Sequence, residues 1–177
     1  QYTSYDDIRG GNDPQGHSGF SATAGGAWAA GKDYTFRANN AIKYTSNNYG
    51  GLTFGATYAF GENKTATAAA GKLFSFQVGY ANGPISVSFA NQTEKFGVAG
   101  GTFAANGLAG QGVGQIGTKE THNLITGSYN FGVAKLGLGY NTSKDNAATA
   151  SGADKEFQVG VTVPVGAATI IADYATS

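Results

Sequence analysis

From residue 38 onward the chain is a series of segments, each about nine residues long, in which apolar or aromatic side chains alternate with small or polar ones. Alternation with a period of two is the pattern of strands whose two faces meet different surroundings. The pattern predicts strands over 38–46, 52–60, 72–80, 85–91, 120–130, 133–141, 155–163 and 167–175. In the second, Leu52, Phe54, Tyr58 and Phe60 stand against Thr53, Gly55, Thr57 and Ala59; in the third, Phe74, Phe76, Val78 and Tyr80 stand against Ser75, Gln77 and Gly79.

The connections alternate as well. Stretches 47–51, 81–84, 131–132 and 164–166 are short and carry turn residues such as Asn82-Gly83-Pro84, whereas 61–71, 92–119 and 142–154 are long. In an antiparallel meander this puts every long loop at one end and every tight turn at the other. A soluble sandwich has no need of that asymmetry, but an outer-membrane barrel has short periplasmic turns and long extracellular loops. Aromatic residues are expected at the two strand ends: Tyr58, Phe60, Phe74, Phe76, Phe89, Tyr140, Phe157 and Tyr174 toward the long loops, Tyr44, Tyr80, Tyr129 and Phe131 toward the turns. Two such belts suit the boundaries between hydrocarbon and headgroups.

Composition narrows the classes further. Charged residues make up 12% of the chain, against about 25% in soluble domains, so something other than water is expected to cover part of its surface. No apolar run approaches the ~18 residues of a membrane helix, which leaves strands as the means of crossing a bilayer. The formal net charge is zero and cysteine is absent, which argues against a nucleic-acid surface, disulfide frameworks and thiolate metal sites. No cofactor is implied. Small inward residues would underfill a closed eight-stranded barrel, so these strands are read as part of a larger wall, and the chain as processed or incomplete.

Several motifs lead nowhere. Gly112-x-Gly114-x-x-Gly117 lies in the longest loop and neither follows a strand tightly nor opens a helix, and Gly26 to Lys32 is followed by Asp33 where a phosphate loop needs Ser or Thr. Glu120 and His122 share a strand face, where solvated side chains are expected rather than a catalytic pair.

Three stretches resemble a known family. Arg37-Ala38-Asn39-Asn40-Ala41-Ile42-Lys43-Tyr44-Thr45-Ser46 with Tyr49-Gly50-Gly51-Leu52-Thr53-Phe54-Gly55 looks like the strand after the constriction loop of trimeric general porins of the beta-proteobacterial type. Asn82-Gly83-Pro84-Ile85-Ser86-Val87 and Ser128-Tyr129-Asn130-Phe131-Gly132-Val133-Ala134-Lys135-Leu136 resemble two later hairpins of that family, in the same order. The resemblance implies an all-β, antiparallel transmembrane barrel of roughly sixteen strands, assembled as a homotrimer in the outer membrane of a Gram-negative bacterium and surrounded by its lipid. Residues 1–36 match the position of the inward-folded constriction loop, and 37–177 the wall from about strand six to strand thirteen.

The function expected on this reading is passive diffusion of ions and small hydrophilic solutes, without covalent chemistry. Arg37, Lys43 and Lys135 share parity with the small polar residues and are expected in the lumen, with Lys43 and Lys135 toward the periplasmic mouth. Arg37 matches the position of a family constriction arginine. Asp6 and Asp7, in the loop, would oppose this basic wall and set a transverse field across the pore; Asp13 before Pro14 is read as a turn residue. Glu156 and Asp173 take lumen parity nearer the outer mouth. The competing expectations are an outer-membrane adhesin and a soluble β-sandwich that binds carbohydrate through its long loops.

Overall fold

Tight links between alternating segments can only make neighbouring antiparallel strands, and that is the architecture found. The computed structural model describes Ser4 and residues 38–61, 64, 66, 69–96, 119–146 and 153–176. Eight strands form one antiparallel sheet in sequence order: β1 (Ala41–Thr45), β2 (Leu52–Phe60), β3 (Lys72–Asn82), β4 (Ile85–Lys95), β5 (Lys119–Asn130), β6 (Lys135–Asp145), β7 (Asp154–Val165) and β8 (Ala168–Thr176). The two stacked sheets of a sandwich are not present among the described residues.

The turn after β3 shows how local chemistry sets the register. Gly83 has φ 56° and Asn82 pairs with Ile85, so Gly83 and Pro84 form a two-residue hairpin turn with its first central residue in a conformation that favours glycine. That register carries along the whole hairpin, from Asn82↔Ile85 to Lys72↔Lys95.

The strands depart from expectation at their long-loop ends. β4 continues to Lys95 and β6 to Asp145, so the loops between β4 and β5 and between β6 and β7 are shorter than 92–119 and 142–154. Residues 91–95 and 141–145 are mostly polar on both faces; hydrophobic alternation vanishes there although the ladder goes on. As a result Phe89 and Tyr140 lie mid-strand and not at strand ends. They border the apolar band, and the strands project beyond it. β1 also begins late at the long-loop end, at Ala41; at the short-turn end β6 begins at Lys135, and the 131–134 turn is closed by Phe131 N–H donating to the Ala134 carbonyl at 2.8 Å.

Burial is inverted relative to a water-soluble protein. Along β3, Phe74, Val78 and Tyr80 are exposed at 45%, 39% and 43%, while Ser75 and Gln77 between them are exposed at 0% and 7%. The inversion extends across the sheet: Ile42, Phe54, Val87, Ile125, Leu138 and Val161 face out. Buried apolar residues reduce to small groups such as Ala38, Ala59, Leu73 and Phe96. An apolar surface this extensive is untenable in water and is what a lipid-facing wall requires.

Candidate pore face

The polar face is built by the odd positions of β2, β3 and β6 and the even positions of β4, β5 and β7, which the pleat directs to one side. Midway along β2 and β3 it receives Ser4, which is fully buried. The Ser4 N–H donates to Thr57 Oγ1 at 3.1 Å and Ser75 Oγ at 3.0 Å, and the Ser4 and Thr57 hydroxyls share a 2.9 Å hydrogen bond. A residue from the N-terminal stretch therefore rests on the polar face, more than fifty positions from its partners in sequence.

Lys43 is in register with Thr57, level with the middle of β2 and in the row that holds Ser4. Lys135 is distant from it. It lies opposite Asn130 and Thr162 and lines a cavity of about 320 Å³ at the short-turn end with Ser86, Ser128 and Asn130. Both lysines are on the polar face. Arg37, Asp6 and Asp7 lie outside the described residues, as do Asp13 and both glycine motifs.

Toward the long loops the polar face becomes acidic. Glu94 and Glu120 are register partners on β4 and β5, Glu156 on β7 stands opposite Asn141 two same-face rungs nearer the short turns, and all three are buried. Amide donors offset part of the cost of burying carboxylates: Gln92 Nε2 donates to Glu94 Oε1 at 2.6 Å and Asn141 Nδ2 to Glu156 Oε2 at 3.1 Å. Glu120 and His122 differ from expectation, because they are buried and not solvated. His122 Nδ1 shares a 2.8 Å hydrogen bond with Ser143 Oγ on β6, and its Nε2 lies 3.9 Å from Glu120 Oε1. Register explains the grouping, since His122 is opposite Ser143 and Gln92. Strand parity put Glu120 and His122 together in the sequence, but only the pairing of β5 with β6 brings in Ser143.

The whole assembly has a charged and polar face that is covered and an apolar face that is exposed, and a model of the Gram-negative porin family matches residues 1–177. The chain belongs to the Gram-negative porin family. Its strands are accordingly part of a transmembrane β-barrel wall, and its location is the outer membrane.

This porin chain is 36% identical over 159 residues to outer membrane porin protein 32 of Delftia acidovorans, covering 83% of this chain and 41% of that protein. It is 27% identical over 142 residues to an outer membrane porin protein of Bordetella pertussis, covering 75% of this chain and 33% of that one. Among solved structures it is similar to an anion-selective porin from Comamonas acidovorans, with a TM-score of 0.61 and 32% identity over 84% of this chain and 42% of that chain. The chain thus spans about two fifths of the length of the Delftia and Comamonas porins. Family members are channels and not enzymes.

Proposed function

We propose that the full-length protein is an outer-membrane channel for passive diffusion of ions and small hydrophilic solutes, and that the polar face described above lines its lumen. The observation that carries this reading is the inverted burial along β3, with rings outward and Ser75 and Gln77 inward. In this reading residues 1–36 fold inward as the constriction loop, which the seat of Ser4 on Thr57 and Ser75 supports. Asp6 and Asp7 then face Arg37 and Lys43 across the narrowest part, and charge fixed in a low-dielectric wall filters ions there. The similarity to an anion-selective porin, with Lys43 and Lys135 on the polar face, supports a preference for anions. Glu94 and Glu120 stand one rung from the Thr57–Ser75–Gln92–His122 row on its long-loop side and tune entry from the long-loop end. Three such barrels form a homotrimer.

No covalent chemistry is assigned. Ser143, His122 and Glu120 fall in the order of a hydrolase triad, but Ser143 is 7% exposed and His122 is fully buried, so the hydroxyl is closed to a substrate. The test is the reversal potential of the full-length protein in a planar bilayer under a salt gradient, native against Arg37→Ala. Stepwise conductance that moves toward cations in the variant is expected. Well-folded protein without conductance would overturn the channel and leave a surface adhesin.

A further inference from the structure

One row of the polar face crosses six strands in register. Lys43 is opposite Thr57, Thr57 opposite Ser75, Ser75 opposite Gln92, Gln92 opposite His122, and His122 opposite Ser143. Ser4 rests on Thr57 and Ser75 of this row. His122 stands two strands beyond Ser75, about 10 Å away at ~4.8 Å per strand. Of the side-chain types in the row, only an imidazole ordinarily changes its charge between pH 5 and 8.

The charged groups around His122 are acidic. Glu120, next on the same face of β5, places Oε1 3.9 Å from His122 Nε2. Glu94 on β4 is the register partner of Glu120 and accepts a hydrogen bond from Gln92, which is opposite His122. From β6 come Ser143, in a 2.8 Å hydrogen bond with Nδ1, and Asn141, which donates to Glu156 of β7; Asp145 is the other register partner of Glu120. Among the described side chains of β4 to β7, Lys95, Lys119, Lys144 and Lys155 take the opposite parity and Lys135 lies at the short-turn end. A proton on His122 therefore brings positive charge to an acidic part of the polar face. His122, Glu94 and Glu120 are buried, which keeps a solute from touching them while their field still acts across the lumen.

We propose that His122 is a selectivity residue whose protonation sets the anion preference of the channel. The proposal rests on the channel reading given above. As pH falls from 8 to 5 the imidazole takes up a proton, the row beside Glu94 and Glu120 becomes one unit more positive, and anions are favoured. A unit charge about 10 Å from the ion path changes the local concentration of a monovalent ion by roughly 1.7-fold in water when the screening length is ~30 Å. The change has opposite sense for anions and cations, so the anion-to-cation permeability ratio is expected to rise about threefold.

The test is the reversal potential of the full-length protein in a planar bilayer, read from pH 8 to pH 5 at about 10 mM mean salt. The native channel is expected to show the threefold step within that window, and to lose it in about 1 M salt, where the screening length is ~3 Å. His122→Gln and His122→Asn, the second of which keeps an amide beside Ser143, are both expected to abolish the step. Ser143→Ala removes the hydrogen bond but keeps the imidazole, and His17→Gln removes the other histidine of the chain; both are expected to retain the step. A packing role for His122 would not sort the variants by whether they can take up a proton. Heat-modifiable gel mobility reports folding of each variant. An unchanged step in both His122 variants, or a native step centred below about pH 5, where carboxylates titrate, would overturn the proposal. Conductance whose selectivity is flat from pH 8 to 5 would refute the role of His122 alone, whereas well-folded native protein without stepwise current would refute the channel reading itself.

Discussion

Val161 gives the sharpest test of which face meets lipid. It is the middle member of the outward row Phe157, Val159, Val161, Val163 and Val165 on β7 and is 37% exposed. From Phe157 to Val165 the strand advances about 27 Å at ~3.4 Å per residue, or about 20 Å of depth at a tilt of about 40°. That is close to the ~25 Å apolar band of such barrels and places Val161 about 10 Å from either edge. Val161→Arg is therefore expected to destabilise the folded barrel by about 2–4 kcal/mol, a factor of roughly 30 to 900 in the folding equilibrium. Thr93→Arg, on the same face but opposite Phe74 in the aromatic border, is expected to cost at most about 1 kcal/mol. The assay is reversible folding of the full-length protein into lipid vesicles against denaturant, read by heat-modifiable mobility. A half-exposed valine in a soluble protein would accept arginine within about 0.5 kcal/mol. A penalty that small, or one equal to that of Thr93→Arg, would refute the lipid-facing assignment.

Other perturbations probe the turns and the polar face. Gly50 has φ 63° with open space around a built Cβ, whereas a Cβ at Gly51, φ 102°, would lie 2.5 Å from the Ala81 carbonyl oxygen; Gly50→Ala is expected to cost about 1–2 kcal/mol and Gly51→Ala clearly more in the same folding assay. Thr57→Val/Ser75→Ala strips the buried Ser4 N–H of both acceptors, at about 1–3 kcal/mol, and is expected to raise current noise and lower the denaturation midpoint; unchanged traces would show that Ser4 does not anchor the N-terminal stretch in the working channel. Lys43→Gln is expected to move the reversal potential toward cations by more than Lys135→Gln does, because Lys43 shares the row of Ser4. A larger shift at Lys135 would place the filter at the short-turn end.

The period-two pattern by itself determined the strand order, the division of faces and the end at which the long loops gather, because each follows from local geometry: the pleat sends alternate side chains apart, and a tight turn permits only an adjacent antiparallel partner. It also placed Lys43 and Lys135 on the polar face from parity alone. It failed where both faces turn polar, at 91–95 and 141–145, because alternation in hydrophobicity disappears while hydrogen bonding between strands continues. Only the tertiary structure decided what depends on register between distant segments. Parity alone does not tell that His122 lies opposite Ser143, that Ser4 reaches Thr57 and Ser75, or that Lys72, Lys95 and Lys119 fall in one register row. Those neighbours come from different strands, and strand pairing, not sequence spacing, sets the height at which each side chain stands in the membrane.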